Sequence, residues 1–191
     1  LEDISLEVRE GEIVGLAGLV GSGRTEFAKT VFGVLPVTSG HIELFGERVT
    51  RPNPRNLIKM GVGLVPEDRK DEGVIQILSV QENITMASLG RLFSSGIVRS
   101  SIERRAAQKY VDMLTIMTDS LGKQVRFLSG GNQQKVVVGK WLCSELRLVI
   151  FDEPTRGVDV GAKAEIHRIM DELVHQGVSI LMISSDLPEV L

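Results

Sequence analysis

Short, continuous apolar runs alternate along this chain with longer segments of helical periodicity. Such runs are typical of strands buried on both faces of a parallel sheet, and the periodic segments predict helices that cover it. The predicted strands lie at 13–17, 62–65, 148–151 and 178–183, and the predicted helices at 24–32, 55–60, 130–144 and 162–175. The alternation therefore predicts an α/β fold around a mainly parallel sheet.

Two stretches near the N-terminus predict a small antiparallel β-subdomain. The segment 4–8 alternates apolar and polar residues and precedes a turn at 9–12. The segments 41–45 and 47–49 flank Gly46, which is a hairpin signal because glycine adopts positive φ without strain.

The stretch 79–127 predicts an inserted α-helical subdomain. The Ser-x-x-Glu segments 79–82 and 100–103 have the spacing of capping boxes, and a Ser/Gly loop at 94–96 separates them. We therefore divide the chain into three parts. These are 1–78, the first part of the core with the β-subdomain, 79–127, the helical subdomain, and 128–191, the remainder of the core.

Composition limits the class of protein. The net charge of −3, with both signs interspersed, does not provide the basic face that nucleic acid requires. The single cysteine, Cys143, excludes an internal disulfide and suits a reducing compartment. No apolar run approaches the roughly 18 residues that span a bilayer, so a function at a membrane would require a partner there. Because predicted elements reach both ends, we expect the chain to be truncated at both ends.

The strand at 13–17 leads into the glycine-rich sequence GLVGSGRT at 18–25, and a predicted helix follows. Glycines let the backbone N–H groups converge, and a helix N-terminus adds partial positive charge, so this context favours phosphate binding. Gly18, Gly23 and Thr25 match the pattern Gly-x-x-x-x-Gly-Lys-Ser/Thr, whereas Arg24 replaces the lysine.

Two acids, Asp152 and Glu153, follow the apolar strand at 148–151. Magnesium prefers oxygen ligands, so the Thr25 hydroxyl and Asp152 are candidates to hold Mg²⁺ beside a nucleotide. Glu153 is a candidate to orient or deprotonate an attacking water. The acids alone are a weak signal, but with the glycine loop they predict an ATP-hydrolysing site.

A second candidate anion site is the sequence LSGGNQQK at 128–135, directly before a predicted helix. Ser129 is placed to cap that helix, and its first N–H groups would face an anion. One nucleotide rarely needs two such sites on one domain. Two facing copies do, each presenting this segment to the nucleotide of the other.

Together these motifs resemble the ATP-binding-cassette (ABC) ATPases over essentially the whole chain. The signature Leu-Ser-Gly-Gly-x-Gln is highly specific. The finer sequences GRTE, PEDRK, LSGGNQQK and DEPTRGVDVGAK resemble the second ATPase half of bacterial simple-sugar importers of the ribose, galactose and xylose type. The resemblance implies a P-loop NTPase fold with a RecA-like core, an ATPase activity, and ATP and Mg²⁺ as cofactors.

The resemblance also implies roles for the matching residues. Thr25 and Asp152 would hold the metal, Glu153 would polarise water, and Asp159 lies in the loop that crosses to a partner cassette. Glu67 and Ser185 take the positions of the glutamine and histidine that contact the γ-phosphate. The nucleotide-binding set is Gly18, Gly21, Ser22, Gly23, Arg24, Thr25, Glu26, Ser129, Gly130, Gly131, Gln133 and Asp159.

Three departures from the family pattern concern the nucleotide that this domain itself would hold. The planar fork of Arg24 does not reproduce a compact ammonium, Glu67 adds negative charge, and Ser185 is not a protonatable contact. By composition alone the charged segment 66–73 is a solvated loop. Because Glu153 and the signature are intact, we expect a weak or slow site of its own and a signature that completes the partner's site.

The implied partners are a second cassette, in the N-terminal half of the same polypeptide, a transmembrane sugar permease and, indirectly, an extracytoplasmic sugar-binding protein. The implied location is the cytoplasmic face of the bacterial inner membrane. Two alternatives remain open. One is a fully active cassette that homodimerises, and the other is a soluble ABC ATPase of DNA maintenance or translation, which the missing basic face disfavours.

Overall fold

Strands and helices alternate along most of the chain. The structure, a computed structural model, describes residues 4–93 and 96–190. The strands are β1 (Ile13–Ala17), β2 (Ile42–Leu44), β3 (Glu47–Val49), β4 (Val62–Val65), β5 (Leu148–Asp152) and β6 (Ser179–Ser184). The helices are α1 (Arg24–Val31), α2 (Pro54–Lys59), α3 (Val80–Thr85), α4 (Leu89–Leu92), α5 (Ser100–Met113), α6 (Gly130–Leu142), α7 (Val160–His175) and α8 (Leu187–Val190). Short helical turns occur at Arg69–Gly73, Met86–Ser88 and Val125–Phe127.

Four parallel strands form the main sheet, in the order β1-β6-β5-β4. Strands β4, β5 and β6 are buried along their whole length, as their continuous apolar sequences predict. Strands β2 and β3 form a separate antiparallel hairpin. The predicted α/β fold is therefore confirmed, and the carboxyl ends of all four parallel strands lie at one edge of the sheet.

Helix α7 illustrates how the sequence produces a covering helix. Asp159 caps it, since the Asp159 carboxylate accepts a hydrogen bond from the backbone N–H of Ala162 at 2.9 Å. The helix ends before Gly177, whose φ is +86°. The side chains that it buries recur at helical spacing, and they are Ile166, Ile169, Met170 and Leu173.

Helices α3, α4 and α5 lie in the stretch predicted to be helical. The capping box at 79–82 is confirmed, because the Ser79 hydroxyl accepts from Glu82 N at 3.2 Å and the Glu82 carboxylate accepts from Ser79 N at 2.8 Å. These hydrogen bonds lower the pKa of Glu82. The domain boundaries at 78/79 and 127/128 stay predictions.

The capping box predicted at 100–103 is wrong. Helix α5 begins after Arg99, and Glu103 is buried against α3 instead of reaching back to the helix start. The Glu103 carboxylate accepts hydrogen bonds of 2.9 Å from the Thr85 hydroxyl and from the Gln81 amide. The same spacing therefore serves helix packing here. Of the Ser/Gly loop predicted at 94–96, residues 94 and 95 lie outside the described residues.

Two strand predictions near the N-terminus need correction. Strand β1 is not buried on both faces, because it lies at the edge of the described sheet and pairs only with β6. No strand forms at 4–8. That segment and the β2–β3 hairpin line opposite parts of a groove of about 1050 Å³, so their backbones do not form a ladder.

Within residues 4–93 and 96–190, none of the helices has the length and apolar composition that crossing a bilayer requires.

Candidate nucleotide-binding site

The four parallel strands deliver the predicted site residues to one edge of the sheet. Segments that follow the ends of β1, β4 and β5, together with the last residues of β6, line a cleft of about 240 Å³. The lining residues are Val20, Gly21, Ser22, Gly23, Arg24, Thr25, Glu26, Glu67, Asp152, Glu153 and Ile183. The structure therefore brings the glycine loop, the two acids and Glu67 together, although they are distant in sequence.

The loop between β1 and α1 has the backbone that a phosphate site requires. Gly21 and Gly23 have φ values of +82° and +89°, which glycine adopts without strain. Gly18 lies close to the Arg24 side chain, since a Cβ at Gly18 would come within 3.4 Å of Arg24 Cδ. No side chain in the described part of the chain caps α1, so the N–H groups of its first turn remain available to an anion.

Arg24 is buried beneath this loop, with 7% of its surface exposed. Its Nη1 donates to the backbone oxygen of Ser184, and its Nη2 lies 3.4 Å from Glu153 Oε1. The guanidinium therefore joins the first turn of α1 to the ends of β6 and β5. A lysine has a single ammonium group and would not reproduce this two-pronged contact.

Glu153 is held in place by its backbone and by both carboxylate oxygens. Its φ of +49° is uncommon for a residue other than glycine, and its N–H donates to Ile183 O at 2.9 Å. Oε1 lies beside Arg24, and Oε2 accepts from the Ser185 hydroxyl at 3.0 Å. Ser185 thus lies next to the candidate catalytic acid, as its position after β6 predicts.

Asp152 is the residue best suited to bind a metal. It is 2% exposed, and its Oδ1 has no hydrogen-bond partner among the described residues. Burial raises the pKa of Asp152, and a hydrogen bond from the Thr25 hydroxyl opposes that shift. A buried, unpaired carboxylate oxygen beside a hydroxyl fits a hard divalent cation such as Mg²⁺, which would satisfy it.

Glu67 lies at the mouth of the cleft between two groups. Its Oε1 forms an ion pair with Arg156, and its Oε2 accepts from the Thr25 hydroxyl at 3.3 Å. The sequence reasoning missed Arg156. Its only signal was its position three residues after Glu153, and nothing in that spacing identifies Glu67 as its partner.

Arg69 is a second residue that sequence reasoning missed. Its guanidinium donates to the backbone oxygens of Arg156 at 2.9 Å and Gly157 at 3.1 Å. It also lies against the start of α6, because a Cβ on Gly130 would approach Arg69 Nη2 to 2.7 Å. The segment 66–73 is therefore not merely a solvated loop, since it connects the cleft, the loop after β5 and the signature.

The signature residues lie at the start of α6 and do not line the cleft as described. The Ser129 hydroxyl accepts from Asn132 N at 3.4 Å, so Ser129 caps the helix as predicted. Gln133 is buried, and its amide donates to the backbone oxygens of Val125 and Leu128. That Ser129, Gly130, Gly131, Gln133 and Asp159 contact a nucleotide held by a second cassette stays a prediction.

A parallel sheet with a glycine loop after β1 and two acids after β5 defines a P-loop nucleotide-binding domain. Within that class, the chain belongs to the ABC transporter family, whose profile matches residues 1–156. The resemblance drawn from the motifs is thus confirmed.

Curated relatives match the chain from end to end. It is 50% identical over 193 residues to the ribose import ATP-binding protein RbsA 1 of Rubrobacter xylanophilus, covering 100% of this chain. It is 49% identical over 190 residues to the ribose import ATP-binding protein RbsA of Geobacillus kaustophilus, again covering 100% of this chain. The chain spans 38% of the length of each of these relatives.

Solved structures confirm the fold. A dimeric ATP-binding cassette in a post-hydrolysis state with ADP and Pi matches with a TM-score of 0.83 at 21% identity, covering 97% of this chain and 79% of that one. A nucleotide-free cassette from an ABC transporter matches with a TM-score of 0.82 at 22% identity, covering 98% and 76%.

Proposed function

We propose that this chain is the C-terminal nucleotide-binding domain of a bacterial sugar importer, and that it couples the binding and hydrolysis of MgATP to carbohydrate uptake. The family match and the ribose-import relatives support this assignment. The cleft supports nucleotide binding, because an uncapped helix start and a glycine loop lie beside two acids.

The domain's own site turns over slowly. The observation that carries this conclusion is the contact between Arg24 and Glu153, in which the cation of the phosphate loop pairs with the acid that would polarise water. Ser185 occupies the second oxygen of that acid. A carboxylate that already accepts from two donors is a weaker base toward water, because both donors stabilise its charged form.

The main contribution of the domain is to the site of a second cassette, in the N-terminal half of the same polypeptide. Ser129 caps α6 and leaves that helix start directed away from the domain's own cleft. Ser129, Gly130 and Gly131 then present backbone N–H groups to the partner's triphosphate. Asp159 lies at the start of α7, on the loop that would meet the partner.

Within its own cleft, Thr25 and Asp152 would hold Mg²⁺, which when bound neutralises phosphate charge. The chain itself binds the phosphates through the loop 18–23, and Glu153 orients water only as far as Arg24 releases it.

The test compares two variants of the full-length protein. We expect Ser129→Arg to lower ATP turnover by about 100-fold or more, since it blocks the competent shared site, and Arg24→Ala to change it by less than about threefold. The control is Lys70→Ala, which removes an exposed cation outside the cleft. If Arg24→Ala abolishes turnover as completely as Ser129→Arg, the domain's own site is the competent one.

The remaining partners follow from this assignment. We expect a transmembrane sugar permease to hold the domain at the cytoplasmic face of the inner membrane, and an extracytoplasmic sugar-binding protein to act through that permease. Affinity purification from detergent-solubilised membranes tests this point. Recovery of nucleic acid in place of a permease would favour a soluble ABC ATPase.

A further inference from the structure

Glu67 is the acid of the cleft whose role the proposed function leaves open. Its carboxylate lies at the junction of three chain segments, between the hydroxyl of Thr25 on α1 and the side chain of Arg156 after β5. Asp152, with its unpaired and buried Oδ1, lines the same cleft. Two carboxylates and one hydroxyl therefore converge where the phosphates and their metal would lie.

Charge determines what this arrangement tolerates. A triphosphate is strongly anionic, so a third carboxylate at the cleft, in addition to Asp152 and Glu153, repels it when no cation is present. A divalent cation reverses the sign of that contribution, because a carboxylate is a stronger ligand for Mg²⁺ than a neutral amide. The same residue thus opposes a metal-free nucleotide and favours a metal-bound one.

Arg156 moderates this effect. Its side chain is more than half exposed, but it pairs with Glu67 Oε1 and so neutralises part of the charge that faces the cleft. The other oxygen, Oε2, accepts only the weak 3.3 Å bond from Thr25, which is itself a candidate metal ligand. Glu67 can therefore turn toward a metal held by Thr25 and Asp152 without breaking a strong hydrogen bond at Oε2.

We propose that Glu67 makes nucleotide binding at this site depend on a divalent cation, by serving as a charged metal ligand with Thr25 and Asp152 and by repelling nucleotide that carries no metal. This inference rests on the proposed function, since it requires that the cleft takes a nucleotide. It assigns Glu67 to metal selectivity, with Arg156 as the positioning residue that sets how strongly Glu67 acts.

The test measures the affinity of a photoreactive ATP analogue for the full-length protein, once with Mg²⁺ and once with EDTA. Label is counted only on peptides of this chain, so a second cassette does not contribute. We expect Glu67→Gln to strengthen metal-free binding by about fivefold or more, the effect of one unit charge about 4 Å away in water, and to weaken binding with Mg²⁺. The ratio of the two affinities then falls by about tenfold.

Two further variants sharpen the result. Arg156→Gln is expected to weaken metal-free binding and so raise the ratio, opposite to Glu67→Gln, and to have no effect on the ratio once Glu67 is already glutamine. Asp71→Asn is the matched control, because Asp71 is exposed on the same segment and outside the cleft. Removing its charge leaves the ratio unchanged.

The outcomes separate the two hypotheses. If this chain is labelled but Glu67→Gln leaves the ratio as in the parent protein, the inference is wrong and the proposed function stands. If Arg156→Gln acts equally with and without the Glu67 carboxylate, Arg156 contacts the nucleotide directly and the positioning role is wrong. If this chain takes no label even with Mg²⁺, both the nucleotide-binding function of this cleft and the inference fail.

Discussion

Lys140 is a buried cation whose surroundings make it costly at neutral pH. It is 7% exposed, its Nζ donates to Gly73 O at 2.6 Å, and it lies 4.8 Å from the ring centroid of Trp141. Burial lowers the pKa of Lys140 to about 8. One backbone oxygen and one aromatic ring therefore do not replace the hydration that the ammonium loses.

The expected consequence is a stability that rises with pH. The folded pKa of about 8 lies below the unfolded value of 10.5, so the unfolded chain binds more protons between these two pH values. The free energy of unfolding should then rise through this window, by up to about 3 kcal/mol in total. Urea denaturation followed by the fluorescence of Trp141, the single tryptophan, measures it.

The comparison variant is Lys140→Met, which should lack this rise. Burial also raises the pKa values of Cys143 and Tyr110, which lowers stability at high pH, but their contribution cancels in the difference between the two proteins. A difference that stays constant from pH 7 to 10.5 would mean that Lys140 keeps its ordinary pKa in the folded chain.

Single residues also mark the limit of what the sequence predicts. Asp152, Glu153 and Thr25 were predicted because each carries its chemistry next to a strand or helix with a clear pattern. Arg156 and Arg69 were not, because the partners of a long arginine side chain depend on which loops meet in space. No periodicity or spacing contains that information.

At the scale of elements, the end of α1 depends on a close approach between two chain segments. Gly33 follows the helix with a φ of +76°, and a Cβ there would lie 2.5 Å from Asn53 N and 2.6 Å from Pro52 C. Both of these are backbone atoms and cannot move aside as a flexible side chain would. Gly33 therefore permits the approach as well as the left-handed conformation.

Gly33→Ala should accordingly destabilise the domain by about 3 kcal/mol or more, which combines the strain of positive φ with the displacement of α2. The matched control is Gly40→Ala, where φ is +78° but no described atom lies within 4 Å of the added Cβ. It should lose only about 1 kcal/mol. Urea denaturation of both variants measures the difference, and equal losses would show that the contact with residues 52–53 is not limiting.

Elements with strong internal patterns were predicted well, and elements that depend on neighbours were not. Strands β4 and β5 and helix α7 appear within a few residues of their predicted bounds, because burial on both faces or on one stripe is visible in the sequence. Strand β1 has an equally apolar sequence but lies at an edge. The second capping box failed because Glu103 is used for packing against α3.

At the scale of the whole molecule, the site is a product of topology. Parallel strands place their carboxyl ends together, so the motifs after β1 and β5 were expected to meet, and they do. The signature, by contrast, belongs to α6 and lies outside the cleft. One chain thus presents two separate anion-binding helix starts, which agrees with a domain that shares its sites with a second cassette.

Arg69 connects these two regions, and its removal should loosen the connection without unfolding the core. Arg69→Ala removes the hydrogen bonds to Arg156 O and Gly157 O, each made by a charged donor. The loop after β5 should then open more often, and the amides of Arg156 and Val158 should exchange with solvent about tenfold faster or more. Hydrogen exchange read by mass spectrometry over residues 154–160 measures this opening.

Lys70→Ala is the matched control, since Lys70 is the exposed neighbour of Arg69 on the same segment. Its variant should exchange like the parent protein in this loop, and both variants should keep the parent exchange rates in β5 and β6, which form the buried sheet. Because the loop also carries Asp159 toward the proposed partner, Arg69→Ala should lower ATP turnover of the full-length protein while Lys70→Ala does not. Faster exchange in the loop with unchanged turnover would separate the structural role of Arg69 from any role in the shared site.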